Sequence, residues 1–490
     1  MENFNRYSGL KDHFLNKKKG LIITPLNEGL GDTLRLNFWM KNRMPEYLWL
    51  GLILVGLGRR NGIEIILKIF SEILAVKIDL DRPRLSDILN LSVDEQRILY
   101  EILLRNVERS LLAPLSILLN RNDFPIFNEY FYQTSLSFEG RLLIISDSIK
   151  AFSSSQSDYA TDLRYLSLHL LFAKGRIKVM ESNELVIEAL LEYPRLDHES
   201  EKMKSYRGII RSMEGVLNAE VDTDFCNYFW KEIGMITSCK ASYISFEQSE
   251  IDYKLFATNS KRLLDFILLA HKDLLLSDNK FEVLIGSATY SLKIFNEIIE
   301  NSLGNGILGR HGVRTILEIY IMLKYLLKKE PENSKIWEEY KLYGLSKYKL
   351  ILLKAREKQN DENAHFNPVI AEFIVNEIMW EEYLDIDLKY FDRQGIREKS
   401  IEVKEKDLYD MLYDYDSSFA HGLWGAIRES SMLTCDTPSH QGHIIPDINN
   451  LQRLPDVKAD MRLLLTKMFL IISEIYKTSD SIGSFLRAND

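Results

Sequence analysis

Two sets of side chains in the C-terminal half of this chain are of the right kind for chemistry. Arg314 and Glu318 stand four apart in Arg314-Thr315-Ile316-Leu317-Glu318, and much further on comes Tyr413-Asp414-Tyr415-Asp416-Ser417-Ser418-Phe419-Ala420-His421-Gly422. A guanidinium can hold phosphate charge and an imidazole can move protons, so Arg314 and His421 are of the types that could act on a phosphate if the fold brings them together. On helices, residues four apart lie on one face, so Ser417 and His421 are expected to project toward the same neighbour. A buried group of this polarity is costly unless fully paired. The same four residues can instead form a structural clasp that sets helix register.

The second set is Cys435, His440 and His443, in a short loop with Asp436 and Asp447. Thiolate and imidazole suit zinc, but the Cys-x4-His-x2-His spacing matches no standard finger. The loop is read as hydrogen-bonded or, instead, as covering the Arg314 and His421 site with His440 or His443 as an acid–base partner; no metal or cofactor is assigned, and whether Cys435, His440 and His443 bind metal stays open. Arg310 and His311 precede the Arg314 helix and are candidate rim residues, where free amides at a helix start attract anions. Gly56-Leu57-Gly58-Arg59-Arg60-Asn61-Gly62 follows an apolar run but lacks the dinucleotide spacing and the strand–helix rhythm around it, so it reads as a helix–helix turn. Serine-hydrolase, Walker, zinc-protease and kinase signatures are absent from the sequence.

The elements that must position these residues read as helices. With 11 prolines and 24 glycines in 490 residues, turn-formers are too sparse for a protein of many short strands. Pro45 suits a first helical turn, and Pro45–Val55 reads as a buried helix, broken by Gly56–Gly62 and followed by Ile63–Leu74. Ser92 and Glu95 form a capping box for a helix through Leu104. Further helices are expected at Val107–Leu119, Phe124–Phe131, Phe138–Phe152, Thr161–Ala173 and Glu184–Leu191, with Ser153–Ser157 a connector. Acidic, apolar-poor Asn218–Asp224 suggests a boundary, dividing the chain into 1–220 and 221–490. Beyond it, longer helices are expected at Leu255–Leu276, Lys280–Leu303, Val313–Lys329, Ile336–Glu357, Ile370–Tyr383, Asp407–Met432 and Met461–Tyr476. The fold class is all-α: an irregular or solenoid-like N-terminal region and a C-terminal bundle of long antiparallel helices.

Composition narrows the setting. A net charge of −9 argues against a protein that coats nucleic acid non-specifically, though it permits a local basic cleft. Three cysteines and no secretion-type leader fit a reducing cytoplasm. The longest apolar run, Tyr47 to Gly58, is shorter than the roughly 20 residues a membrane-spanning helix needs, so no membrane span is expected.

The Arg-x-x-x-Glu and Ser-x-x-x-His-Gly elements together resemble an uncharacterised bacterial family with HEPN-like helical bundles, of the abortive-infection, anti-phage type. The resemblance covers roughly residues 260–450. It implies a defence or stress effector that binds RNA or a nucleotide through Arg314, Glu318, Ser417 and His421, with Tyr413 or Tyr415 nearby. If the protein is an enzyme, the implied activity is a metal-independent ribonuclease. A homodimer and a sensing or partner-binding role for the N-terminal region are further implications. Arg164 and His169 formally fit the Arg-x4-His spacing of HEPN ribonucleases, whereas Arg314 and His421 lie on separate segments, a departure from that class. The competing reading is a non-catalytic helical interaction protein.

Overall fold

The computed structural model describes residues 9–30, 38–177, 183–217, 223–246, 251–357 and 365–477. The chain divides into two compact units: Met1–Ala241 with Cys435–His443, and Ser242–Thr434 with Ile444–Asp490. The expected boundary near residue 220 falls within 218–222, outside the described residues, and the first unit runs on to Ala241.

Unit 1 is built around α1 (Met44–Leu57), which carries Pro45 in its first turn and is buried without a gap from Met44 to Leu54. A helix apolar all round must be covered on every side. Around it pack α2 (Arg59–Ala75), α4 (Phe138–Ser153), α5 (Asp158–Ala173) and α7 (Thr223–Met235); α3 (Val93–Asn106) packs on α2, and α6 (Glu201–Leu217) on α5. Each fully buried Leu or Ile there contributes about 1.5–3 kcal/mol. Glu46 is the polar exception inside α1. Its carboxylate accepts from the Ser86 amide and hydroxyl, both at 2.9 Å, and burial outweighs these bonds to push its pKa up to about 7.

Local signals account for the helix ends. Ser92 and Glu95 form the expected capping box at the start of α3, and Ser157 caps α5 after the serine connector. The break after α1 is narrower than Gly56–Gly62: Gly58 alone turns the chain at φ +74°, and α2 begins at Arg59. Val107–Leu119 is not one helix but Arg109–Leu112 followed by a 3-10 stretch, Ala113–Ile117, because Pro114 lacks the amide that an α-helix needs. α1 touches helices far away in sequence, and the apolar core runs continuously from Trp39 to Ile233. Stacked repeats would contact only their neighbours, so the region is an irregular bundle rather than a solenoid.

Unit 2 contains α8 (Tyr253–Ala270), α9 (Asn279–Glu300), α10 (Ile307–Lys329), α11 (Ile336–Glu357), α12 (Ile396–Glu402), α13 (Lys406–Ala420), α14 (Trp424–Ser431) and α15 (Lys458–Ile475). α10 lies at its centre, packed on α9, α12, α13 and α15, with Ile316, Leu317, Tyr320 and Leu323 buried along the expected face. Gly312 permits the close approach of α15, since a Cβ there would lie 2.5 Å from Met461 Cε. Among the described residues the protein is all-α apart from short strands: β1 (Phe14–Asn16) with β2 (Leu21–Ile23), β3 (Met432–Cys435) with β4 (Ile444–Pro446), and the two-residue strand Ala241–Ser242. Among the described residues no helix is long and apolar enough to cross a membrane.

Four expectations in unit 2 are corrected. Leu255–Leu276 is not one helix: α8 ends at Ala270 and a 3-10 turn follows at Leu274–Leu276. α10 starts at Ile307, so Arg310 and His311 lie within it rather than before it. Ile370–Tyr383 is realised as Pro368–Val375 plus a 3-10 turn at Glu381–Tyr383. Asp407–Met432 is not continuous: α13 stops at Ala420, where Gly422 at φ +59° donates to Phe419 O and Leu423 donates to Ser418 O. That pair of bonds is a glycine-dependent helix stop.

Candidate functional site

The strongest packing in unit 2, α10 against α13, brings Arg314 and Tyr413 together. Arg314 Nε donates to Glu318 Oε1 at 3.0 Å, its Nη2 donates to Tyr413 Oη at 3.1 Å, and its guanidinium lies 5.0 Å from the centre of the Tyr413 ring. Burial alone would lower the Arg314 pKa, but the bonds to Tyr413 and Glu318 raise it, so the cation is secured. Tyr413 stacks on Tyr409 at 4.5 Å with planes 17° apart. Burial, reinforced by Tyr413, pushes the Tyr409 phenol up to about 12, so it is neutral at physiological pH.

These residues line a cavity of about 430 Å³ with Tyr340, Tyr343, Phe391, Arg397 and Lys399. Arg314, Arg397 and Lys399 outnumber Glu318, the acid on this wall. Lys399 is already committed, donating to the Phe391 carbonyl at 2.7 Å and the Gln394 carbonyl at 2.5 Å. A larger cleft of about 740 Å³ shares Tyr343 and Phe391 but is lined by Glu332, Glu339, Asp385, Asp387 and Asp392 against a single Lys329. Its charge opposes anions, so the smaller cavity is the better anion site despite its size.

Ser417 and His421 do not join this cavity. One turn toward the N-terminus of α10 from Arg314, Arg310 lies 5.9 Å from the Phe419 ring, so the antiparallel register carries the end of α13 past Arg314. His421 is the C-cap residue of α13 and is exposed. Its backbone amide closes the helix on Ser417 O at 3.0 Å, and the His421-Gly422 pair performs a capping task. Tyr415, the alternative to Tyr413, donates to Glu429 at 2.7 Å instead.

Arg310 is no rim residue. It is buried and donates to the carbonyls of Gly304 at 3.0 Å, Gly306 at 3.3 Å and Pro455. Beside it sits buried Asp416, whose carboxyl burial pushes up to about 7 although Arg310 pulls the other way; Asp460 adds to the rise.

In unit 1, Arg164 is sealed in the core. It pairs with Glu214 at 3.3 Å and lies 4.6 Å from the Trp39 ring, while Arg43 shares the same Glu214 oxygen at 2.6 Å. His169, on the same helix, rests between Tyr165 and Phe70, and burial holds its pKa below the ordinary value. The Arg-x4-His spacing here builds core rather than an active site.

Cys435, His440 and His443 are joined by a fourth residue that the sequence reading missed, Cys239. All four belong to unit 1, which the chain re-enters at Cys435 and leaves after His443. The tip is held by Asp436 N to Lys240 O at 2.8 Å, Cys435 N to His443 O at 2.9 Å and Thr437 Oγ1 to Ser238 O at 2.8 Å, with Ser439 buried. Cys239 Sγ lies 3.4 Å from His440 Nδ1 and 3.3 Å from His443 Nε2, and Cys435 Sγ lies 3.4 Å from His440 Nδ1. His440 is 201 positions from Cys239, so no spacing rule could have joined them.

Comparison with known proteins returns no match among curated proteins or solved structures. Residues 281–440, which run from α9 through α14 and into the re-entrant tip, match the model of a family of unknown function, DUF5677.

Proposed function

We propose that the Arg314 cavity binds a phosphorylated nucleotide, free or within RNA, and that the protein is a HEPN-like effector of bacterial defence that acts by this binding. The observation that carries the reading is a secured guanidinium beside a stacked tyrosine pair on the wall of one cavity of about 430 Å³. That volume lies within the usual range for small-ligand sites. Arg314 and Arg397 suit phosphate oxygens, and tyrosine faces suit a base, a stacking contribution of about 1–3 kcal/mol per base. The defence role rests on the resemblance of the Arg-x-x-x-Glu and Ser-x-x-x-His-Gly elements. Among the described residues no histidine lines this cavity, so binding is favoured over cleavage.

Titrating the full chain with fluorescent purine nucleotides and with a short single-stranded RNA tests this. Arg314→Ala should weaken the preferred ligand by about 10- to 100-fold, the worth of a charge-assisted hydrogen bond, with His421→Ala unchanged. RNA cleavage abolished by His421→Ala would restore the ribonuclease reading.

A second reading has its own support. Two of the Arg314 nitrogens already have partners in Glu318 and Tyr413, as a clasp between α10 and α13 requires. In that case Arg314→Ala would lower the melting temperature, and no nucleotide or RNA would bind.

A further inference from the structure

The four residues Cys239, Cys435, His440 and His443 present one ligand atom each, and these atoms all lie within 4.8 Å of one another. We propose that they form a structural zinc site that fastens the re-entrant segment Cys435–His443 into unit 1. The inference is independent of the reading of the Arg314 cavity, which lies in unit 2.

Geometry supports an ion at the centre. Zinc binds thiolate sulfur at about 2.3 Å and imidazole nitrogen at about 2.0–2.1 Å, and a tetrahedral angle between them sets sulfur and nitrogen about 3.5 Å apart. The three sulfur–nitrogen separations are 3.4, 3.3 and 3.4 Å. A two-iron cluster does not suit the set, because its cysteine and histidine pairs bind different irons, whereas here sulfurs and nitrogens interleave around one point.

Hydrogen-bond accounting points the same way. Thr237 Oγ1 donates its proton to Ile233 O at 2.7 Å, so the 2.7 Å contact between Thr237 Oγ1 and His440 Nε2 needs the imidazole to donate. Nδ1 of neutral His440 is then a bare lone pair facing two sulfurs, both at 3.4 Å. One lone pair cannot accept well from two thiols, but a single cation can take that nitrogen and both sulfurs together. Thr237 would serve as the outer partner that fixes the tautomer of a metal-bound histidine.

Four protein ligands leave no open position, which marks a structural rather than a catalytic zinc. Two thiolates also balance the ion's charge, and binding releases the two thiol protons to solvent. The ion would bridge parts of unit 1 that are 201 positions apart in the chain, a long-range link of the kind that stabilises most against loop entropy.

The test is metal analysis of the purified full chain. After dialysis it should retain about one zinc ion per chain, and cobalt exchange should give the visible bands of a tetrahedral ion with thiolate charge transfer. Cys239→Ser should weaken zinc binding by about 100-fold or more, and Thr237→Val by about 10- to 100-fold. His443→Cys, which keeps four ligands of zinc-binding type, should retain the ion with stronger charge transfer, so a folded variant remains to be read if Cys239→Ser does not fold. Zinc should also slow amide exchange across residues 435–443. Absence of stoichiometric metal from the wild-type chain and its cobalt form, a Cys239–Cys435 disulfide in the native protein, or Cys239→Ser with undiminished affinity would each overturn the proposal.

Discussion

Two arginines, one in each unit, have the same kinds of partner, a glutamate and an aromatic ring, in opposite situations. Arg164 in unit 1 pairs with Glu214 and lies against an aromatic ring, and so does Arg314 in unit 2 with Glu318 and Tyr413. Arg164 and Glu214 are sealed by packing, whereas the side chain of Arg314 is 21 % exposed and that of Glu318 40 %. An ion pair with an aromatic neighbour is therefore not a sign of function by itself. What separates a core clasp from a candidate site is whether the guanidinium reaches space that a ligand can enter.

The contrast is most severely tested at Glu214. Its removal leaves Arg43 and Arg164 as buried cations without their shared counter-charge, which should cost about 3–5 kcal/mol in chemical denaturation. A loss below about 1 kcal/mol would mean that unit 1 does not depend on the clasp. Glu318→Gln in the open pair should change stability by less than about 1 kcal/mol, as half-exposed pairs do, and exert its effect on ligand affinity instead.

Both units also bury a carboxyl whose pKa stands at about 7, Glu46 and Asp416. Below about pH 4 both acids are protonated whether the chain is folded or not. Between about pH 4 and 7 the unfolded carboxyls lose their protons while the folded ones keep them, so rising pH favours unfolding through that window. Asp416→Asn should flatten this decline, making the protein about 1–3 kcal/mol more stable relative to wild type at pH 8 than at pH 4. A parallel displacement of the two stability curves at every pH would contradict the buried, protonated state of Asp416. A modest effect is expected at Ser92, whose substitution by Ala removes the cap of α3 and should cost about 1 kcal/mol in chemical denaturation.

Much of the helical framework was legible because local physics set it. The capping box at Ser92, the proline in the first turn of α1 and the apolar face of α10 each act within a few residues, and the helices lie where those signals place them. The helices that depart from expectation are those with a local stop inside them. Pro114 breaks the expected Val107–Leu119 helix, and Gly422 ends α13 at Ala420, although the His421-Gly422 pair carried the stop signal in plain view. The structure places His421 at the C-cap of α13 and outside the lining of the Arg314 cavity.

The amino-acid order by itself determined helix propensity and many helix limits, while a tyrosine near Arg314, Tyr413 or Tyr415, was only an implication of the family resemblance. Tertiary structure alone decided that Ser417 and His421 stay out of the Arg314 cavity, because that depends on the register of α10 against α13. It alone placed Cys239 among Cys435, His440 and His443, since proximity between residues 201 positions apart arises from the path of the folded chain and leaves no periodic trace in sequence.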